Sequence, residues 1–160
     1  MIFCAAGGIG LSGAMELRRR PRLLHSLADA LSLLRSDIVC RLLPLPEALH
    51  HVAEASPGET GQCFFSLAGK IGETEASFSA LWHEAVGGLN LPQSEATAAL
   101  LALGEQLGRY DAEAQARAID ACIAALHTAE DAARQSAAQK GKLYSGLGFT
   151  VGMMLAVTLY

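Results

Sequence analysis

Residues 23–38 read LLHSLADALSLLRSDI, and within them Leu24, Leu27, Leu31, Leu34 and Ile38 recur in steps of three and four. An α-helix turns once every 3.6 residues, so this spacing lays the five side chains along one stripe. No stretch of the chain sustains the period-2 alternation of a half-buried strand, and Ala and Leu dominate over Val and Ile. The expected class is all-α.

Working outward, the stripe predicts a long helix after Pro21, closed between Arg41 and Pro44. Pro46 suits a first-turn position, and Leu45, Ala48, Leu49 and Val52 predict a short second helix ended by Ser56-Pro57-Gly58. Phe64, Leu67 and Ile71 mark a third, stopped near Gly72. Thr74 is placed to cap a fourth carrying Phe78, Leu81, Trp82 and Ala85, stopped by Gly87-Gly88. Pro92 and Ser94 open a fifth with Ala96, Leu100, Leu103 and Leu107. From about Asp111, the stripe of Ile119, Cys122, Leu126, Ala129 and Ala133 predicts the longest helix, one able to continue across Gly141. Short connections favour antiparallel neighbours, so the architecture expected is an up-and-down bundle of about six helices.

The chain ends are of a different kind. Residues 143–160, LYSGLGFTVGMMLAVTLY, carry no charge, close to the ~20 apolar residues that cross a bilayer as a helix. Gly148, Gly152 and Ala156 repeat every fourth residue there, leaving a smooth face that a second helix can approach. Met1 to Met15 is also uncharged, with Ala6, Gly10 and Ala14 at the same spacing. A cleaved signal peptide would carry its positive charge ahead of the apolar run, whereas here the charge follows it. The expected division is a membrane segment at 1–17, a helical domain at 18–142 and a second membrane segment at 143–160.

Hydrophobic residues make up 51% of the chain and charged ones only 18%, against roughly 25% charged in an ordinary soluble domain. The formal charge of −4 is segregated. Arg18, Arg19, Arg20 and Arg22 follow the first apolar run, and Lys140 and Lys142 precede the last. Both clusters flank the intervening domain, so the positive-inside rule places that domain in the cytoplasm. Between Leu23 and Gln139 there are fifteen acids and six bases. An acidic middle argues against nucleic acid, whose binders present a basic stripe to the phosphates.

Little in the chain points to catalysis. Glu47 and His50 have the E-x-x-H spacing of a di-metal carboxylate bundle, which needs a second such pair and two more glutamates. His127 and Glu130 have the order reversed. There is no H-E-x-x-H, G-x-S-x-G or phosphate-binding glycine loop. No catalytic residue, metal site or cofactor is therefore expected, with a helical metal-binding protein using Glu47 and His50 as the competing reading. Cys40, Cys63 and Cys122 lie among helical apolar residues and are expected to be buried free thiols. Glu95, Glu105, Asp111 and Glu113, around the fifth helix and the turn after it, are the candidate contacts to a basic face on a protein partner.

The order of these features resembles the stage III sporulation protein AB family. The resemblance is carried by the glycine-bearing first segment followed by arginines, and by the Leu-rich helix ending near Asp37-Ile38. It continues through Pro44-Leu45-Pro46-Glu47-Ala48, the Trp82 helix and Leu103-Gly104-Glu105-Gln106-Leu107-Gly108-x-x-Asp111-x-x-x-Gln115. Lys142-Leu143-Tyr144-x-x-Leu147-Gly148 completes it, so the match spans the chain in order. Such membership implies a cytoplasmic helical domain similar to those of the type II secretion F-type platform proteins. It implies a place in the sporulation channel complex, in the mother-cell-side membrane around the forespore, near the complex's secretion-type ATPase, the AA protein. It leaves homo-oligomerisation open.

Overall fold

In the computed structural model the backbone is described for residues 3–73, 75–107 and 111–158, and side chains for 19–73, 75–107 and 111–139. Six helices and no strands occur among the described residues: α1 (Phe3–Val39), α2 (Leu45–Ala55), α3 (Gly58–Lys70), α4 (Phe78–Gly88), α5 (Glu95–Gln106) and α6 (Ala112–Thr158). The fold is all-α, as the 3.6-residue stripes require.

The leucine stripe is the core of α1. Leu27, Leu31 and Leu34 are fully buried, and Ile119, Cys122 and Leu126 of α6 meet them from the other side. Each such side chain contributes about 1.5–3 kcal/mol by leaving water. Arg35 reaches Asp120 at 2.7 Å and His25 reaches Glu130 at 3.3 Å. Moving ten residues back along α1 thus moves ten residues forward along α6, so the two long helices are antiparallel. The four short helices follow in sequence against this pair, α2 on α3, α3 on α4, α4 on α5 and α5 on α6.

Local chemistry sets most boundaries as expected. Pro46 stands in the first turn of α2, where its missing N–H costs nothing. Ser94 caps α5 by accepting from Thr97 N at 3.3 Å, and α6 runs without a break across Gly141. Two boundaries differ. Pro21 does not begin a helix but lies inside α1, which is continuous from Phe3. The cap of α4 is Ser77, whose hydroxyl accepts from Ala80 N at 3.3 Å. Thr74, expected in that role, lies outside the described residues.

Among the described residues no helix is long and apolar enough to cross a membrane. The side chains of the segments expected to span, 1–17 and 143–160, lie outside the described ones, as do Arg18, Lys140 and Lys142 and the small-residue faces of Ala6, Gly10, Ala14, Gly148, Gly152 and Ala156.

Candidate protein-interaction surface

The α1–α2 turn and the α5–α6 turn sit at the same end of the bundle, where α1 finishes and α6 begins. At the first of them Asp37 is fully buried. Its carboxylate accepts from His51 Nδ1 at 2.6 Å and from Arg41 Nη1 at 3.1 Å, and its backbone carbonyl accepts from Leu43 N at 3.0 Å. A buried carboxylate without partners would be costly, so these bonds set the geometry of the turn. They carry the chain through Leu42 at φ 55°, a left-handed conformation that costs a leucine about 1 kcal/mol or more. The Leu42 side chain is 77% exposed, and Val39, three residues earlier, is 37% exposed. Val39 borders a shallow groove of about 300 Å³ with Ala112, Ala116 and Arg117 of α6.

At the second turn Asp111 caps α6, its Oδ1 accepting from Glu113 N at 3.1 Å. Glu113 is exposed and 3.8 Å from Arg117. Glu105, near the end of α5, accepts from the Ser79 hydroxyl and lies 3.9 Å from His83 Nε2. The described side chains of the two turns thus include Asp37, Glu47, Glu105, Asp111, Glu113 and Asp120 against Arg35, Arg41 and Arg117.

Of the four candidate acids, Glu105, Asp111 and Glu113 share this end. Glu95 does not. It opens α5, about 15 Å from Glu105 along a helix that rises 1.5 Å per residue. Glu95 instead borders a groove of about 690 Å³, with Arg20 and Leu24 of α1 and the alanine face of α6 from Ala121 to Ala133. Among the cations after the first segment, Arg19 donates to Glu59 of α3, Nε to Oε1 at 2.8 Å. That bond, helped by the Arg19 charge, holds the Glu59 carboxyl below its ordinary value against slight desolvation.

Away from this end, α1 and α6 are joined by a cluster in which His25 of α1 meets a local His127–Glu130–Arg134 set on α6. Glu130 is buried, with His25 Nδ1 at 3.3 Å and His127 Nδ1 at 3.5 Å from Oε2, and Arg134 on Oε1. Burial pushes this carboxyl up, but the His25 hydrogen bond and the charges of Arg134 and His25 outweigh it, and its pKa lies below the ordinary 4.5. His127 and Glu130 are a structural pair with His25 as their third member.

Glu47 and His50, the pair the metal reading needs, are both exposed on α2. Among the described residues no group of three or more His, Cys, Asp and Glu side chains is placed to hold a metal ion. The thiols are not all buried: Cys122 is, Cys63 is half-buried and Cys40 is exposed. Cys40 directly follows Val39, the last residue of α1.

The architecture is that of an all-α domain built on two long antiparallel helices with four short ones packed against them. The chain belongs to the stage III sporulation protein AB family, whose sequence profile matches residues 1–160. A solved structure of a stage III sporulation protein AB (SpoIIIAB) is similar in fold, with a TM-score of 0.66 and 23% identity over 75% of this chain and 97% of that one. No curated protein matches the chain. Family membership makes it a component of the stage III sporulation complex.

Proposed function

We propose that the chain is a non-enzymatic platform component of that complex, anchored in the mother-cell-side membrane with its helical domain in the cytoplasm and in contact with the complex's ATPase. One observation carries this reading. α1 and α6 are antiparallel and continuous with the chain ends, so both apolar end segments leave the domain at the same end. Two segments leaving together suit attachment to one membrane. The acidic turns then stand at the far end, about 30 Å away along α1 from Arg20 to Val39 at 1.5 Å per residue, where a cytoplasmic protein can reach them.

Orientation is tested by thiol labelling of oriented membrane vesicles carrying Cys substitutions at the exposed Gln62 and Gln93. Labelling only from the cytoplasmic side is expected; labelling from outside reverses the topology. The partner is tested by titrating the ATPase against Glu105→Lys and Glu113→Lys. Weaker binding that also becomes less dependent on salt is expected, and unaltered binding by both variants removes the acidic face from the contact. Asp111→Lys is a poor probe, because Asp111 caps α6 and its loss damages the helix start.

A further inference from the structure

We propose that His25 is a proton-operated clasp between α1 and α6: with both ring nitrogens protonated, and braced by Asp29 on its own helix, it grips Glu130 on the other, and loss of a proton slackens the grip.

Two carboxylates approach the His25 ring, one at each nitrogen. Nδ1 lies 3.3 Å from Glu130 Oε2 on α6, and Nε2 lies 3.4 Å from Asp29 Oδ2, one turn further along α1. A neutral imidazole carries one N–H, so whichever carboxylate it serves, its bare nitrogen turns a lone pair toward the other. An ionised carboxylate only accepts, so that second contact is repulsive until the ring takes up a proton. The protonated ring donates from both nitrogens and satisfies both neighbours. Among the described residues, His51, His83 and His127 each meet a carboxylate through one ring nitrogen, a contact that a neutral tautomer can serve.

The placement suits a switch. The Glu130 side chain is 5% exposed and that of His25 is 52% exposed, so the ring stays open to water while the carboxylate it grips is shielded. Other groups face the ring from each element around it. α1 adds Arg22, which shares a hollow with His25 and Asp29, and α6 adds His127 and Arg134. The connection from α2 to α3 contributes Ala55, Ser56 and Pro57 to that hollow, none of them charged. Arg134 is bound to the other oxygen of Glu130 and Arg22 is exposed. The two carboxylates beside the ring therefore decide the sign, and proton uptake tightens the α1–α6 pair. Both helices lead on toward the chain ends, so the charge on one histidine sets how firmly those ends are held together.

The test compares wild type, His25→Gln and Asp29→Asn as full chains in detergent micelles. Urea midpoints are measured at about pH 5.5 and about pH 8, which bracket the change of charge of histidine. Amide hydrogen exchange across residues 23–31 and 126–134 is followed at the same two values and corrected for the intrinsic rate at each. Wild type is expected to be better protected at the lower pH, its local opening constant rising about threefold or more at the higher one, the scale of a half-exposed ion pair. His25→Gln cannot take up the proton and is expected to lose most of that difference. Asp29→Asn keeps the ring but removes one carboxylate, so a neutral ring can serve Glu130 without a repulsive second contact, and the difference is expected to shrink. The same pH dependence in all three proteins overturns the proposal, as does a wild type better protected at the higher pH. A His25→Gln variant weakened by the same factor at both values makes His25 merely structural and also refutes it. If His25→Gln does not fold, Asp29→Asn decides alone, its side chain being 68% exposed, and an undiminished difference there sinks the clasp.

Discussion

Trp82 on α4 donates its indole N–H to the backbone carbonyl of Leu100 on α5 at 2.6 Å, inside the core. The bond lets a large amphipathic ring be buried with its polar atom satisfied. Phe64 meets the ring edge-on and Phe78 lies tilted against it, each with centroids 6.0 Å away. α5 comes this close because Gly104, one turn after Leu100, has no side chain. A methyl group there would lie 2.8 Å from Trp82 Cγ and 3.1 Å from its Cβ.

Gly104→Ala is therefore expected to destabilise the fold by about 1–3 kcal/mol, although alanine is the better helix former. Gly69→Ala is the control: nothing lies within 4 Å of a methyl group there, and it is expected to stabilise by up to about 1 kcal/mol. Urea midpoints of the two variants check the pair, and a neutral Gly104→Ala would refute the close approach.

The Asp37 clamp gives a second expectation. Asp37→Asn keeps the shape but removes the charge that His51 and Arg41 approach at 2.6 and 3.1 Å. A loss of about 1–3 kcal/mol is expected, measured by chemical denaturation. His51→Ala, which leaves Arg41 in place, is expected to cost less than Asp37→Asn.

For Glu130 the pH dependence has a definite sign. Its folded pKa lies below the ordinary 4.5, so ionised Glu130 adds stability that is fully present above that value and is lost as pH falls through the folded pKa. Wild type is expected to exceed Glu130→Gln in denaturant midpoint at neutral pH, and the gap is expected to close as the pH drops below 4.5. A gap constant with pH would show that the carboxylate charge does not carry the effect.

The thiols differ in the same testable way. Burial pushes Cys63 up to about 11 and Cys122 up to about 12, leaving almost no thiolate at neutral pH. Cys40, exposed after α1, is expected to react with a maleimide in the folded chain, and Cys122 only after unfolding. Mass spectrometry of labelled peptides distinguishes them; early modification of Cys122 would contradict its burial.

What the sequence could disclose depended on the range of the interaction. The leucine stripe of α1, the Ser94 cap and Pro46 at the start of α2 are local patterns, and all three appear where expected. Pro21 misled because proline usually opens or breaks a helix, whereas here α1 continues through it. Thr74 and Ser77 both suit a cap by residue type, and it is the fold that gives Ser77 this role at the start of α4. The acids Glu105, Asp111 and Glu113 were visible as charge, but not that Asp111 is occupied capping a helix or that Glu95 faces another groove. Of the Glu130 cluster, His127 at i−3 and Arg134 at i+4 are legible as helix neighbours, whereas His25 lies 105 residues away and no periodicity links it to them. Leu42 gave no signal in the spacing patterns: its left-handed backbone lies in the turn bonded to Asp37, where the local Arg41 and Leu43 bonds are joined by His51 from α2.

The pairing of the first helix with the last also governs how the chain acquires its structure. During synthesis the leucine face of α1 emerges early, yet the surface that covers it lies on α6, some hundred residues later. At the 5–20 residues per second of translation, that face waits on the order of 5–20 seconds for its partner. The short helices between them can form and associate in this interval, but closure of the core is deferred to the final segment. Loss of residues from the end of the chain would thus leave the beginning of the domain uncovered, and nascent chains stalled before α6 would be those most in need of a chaperone.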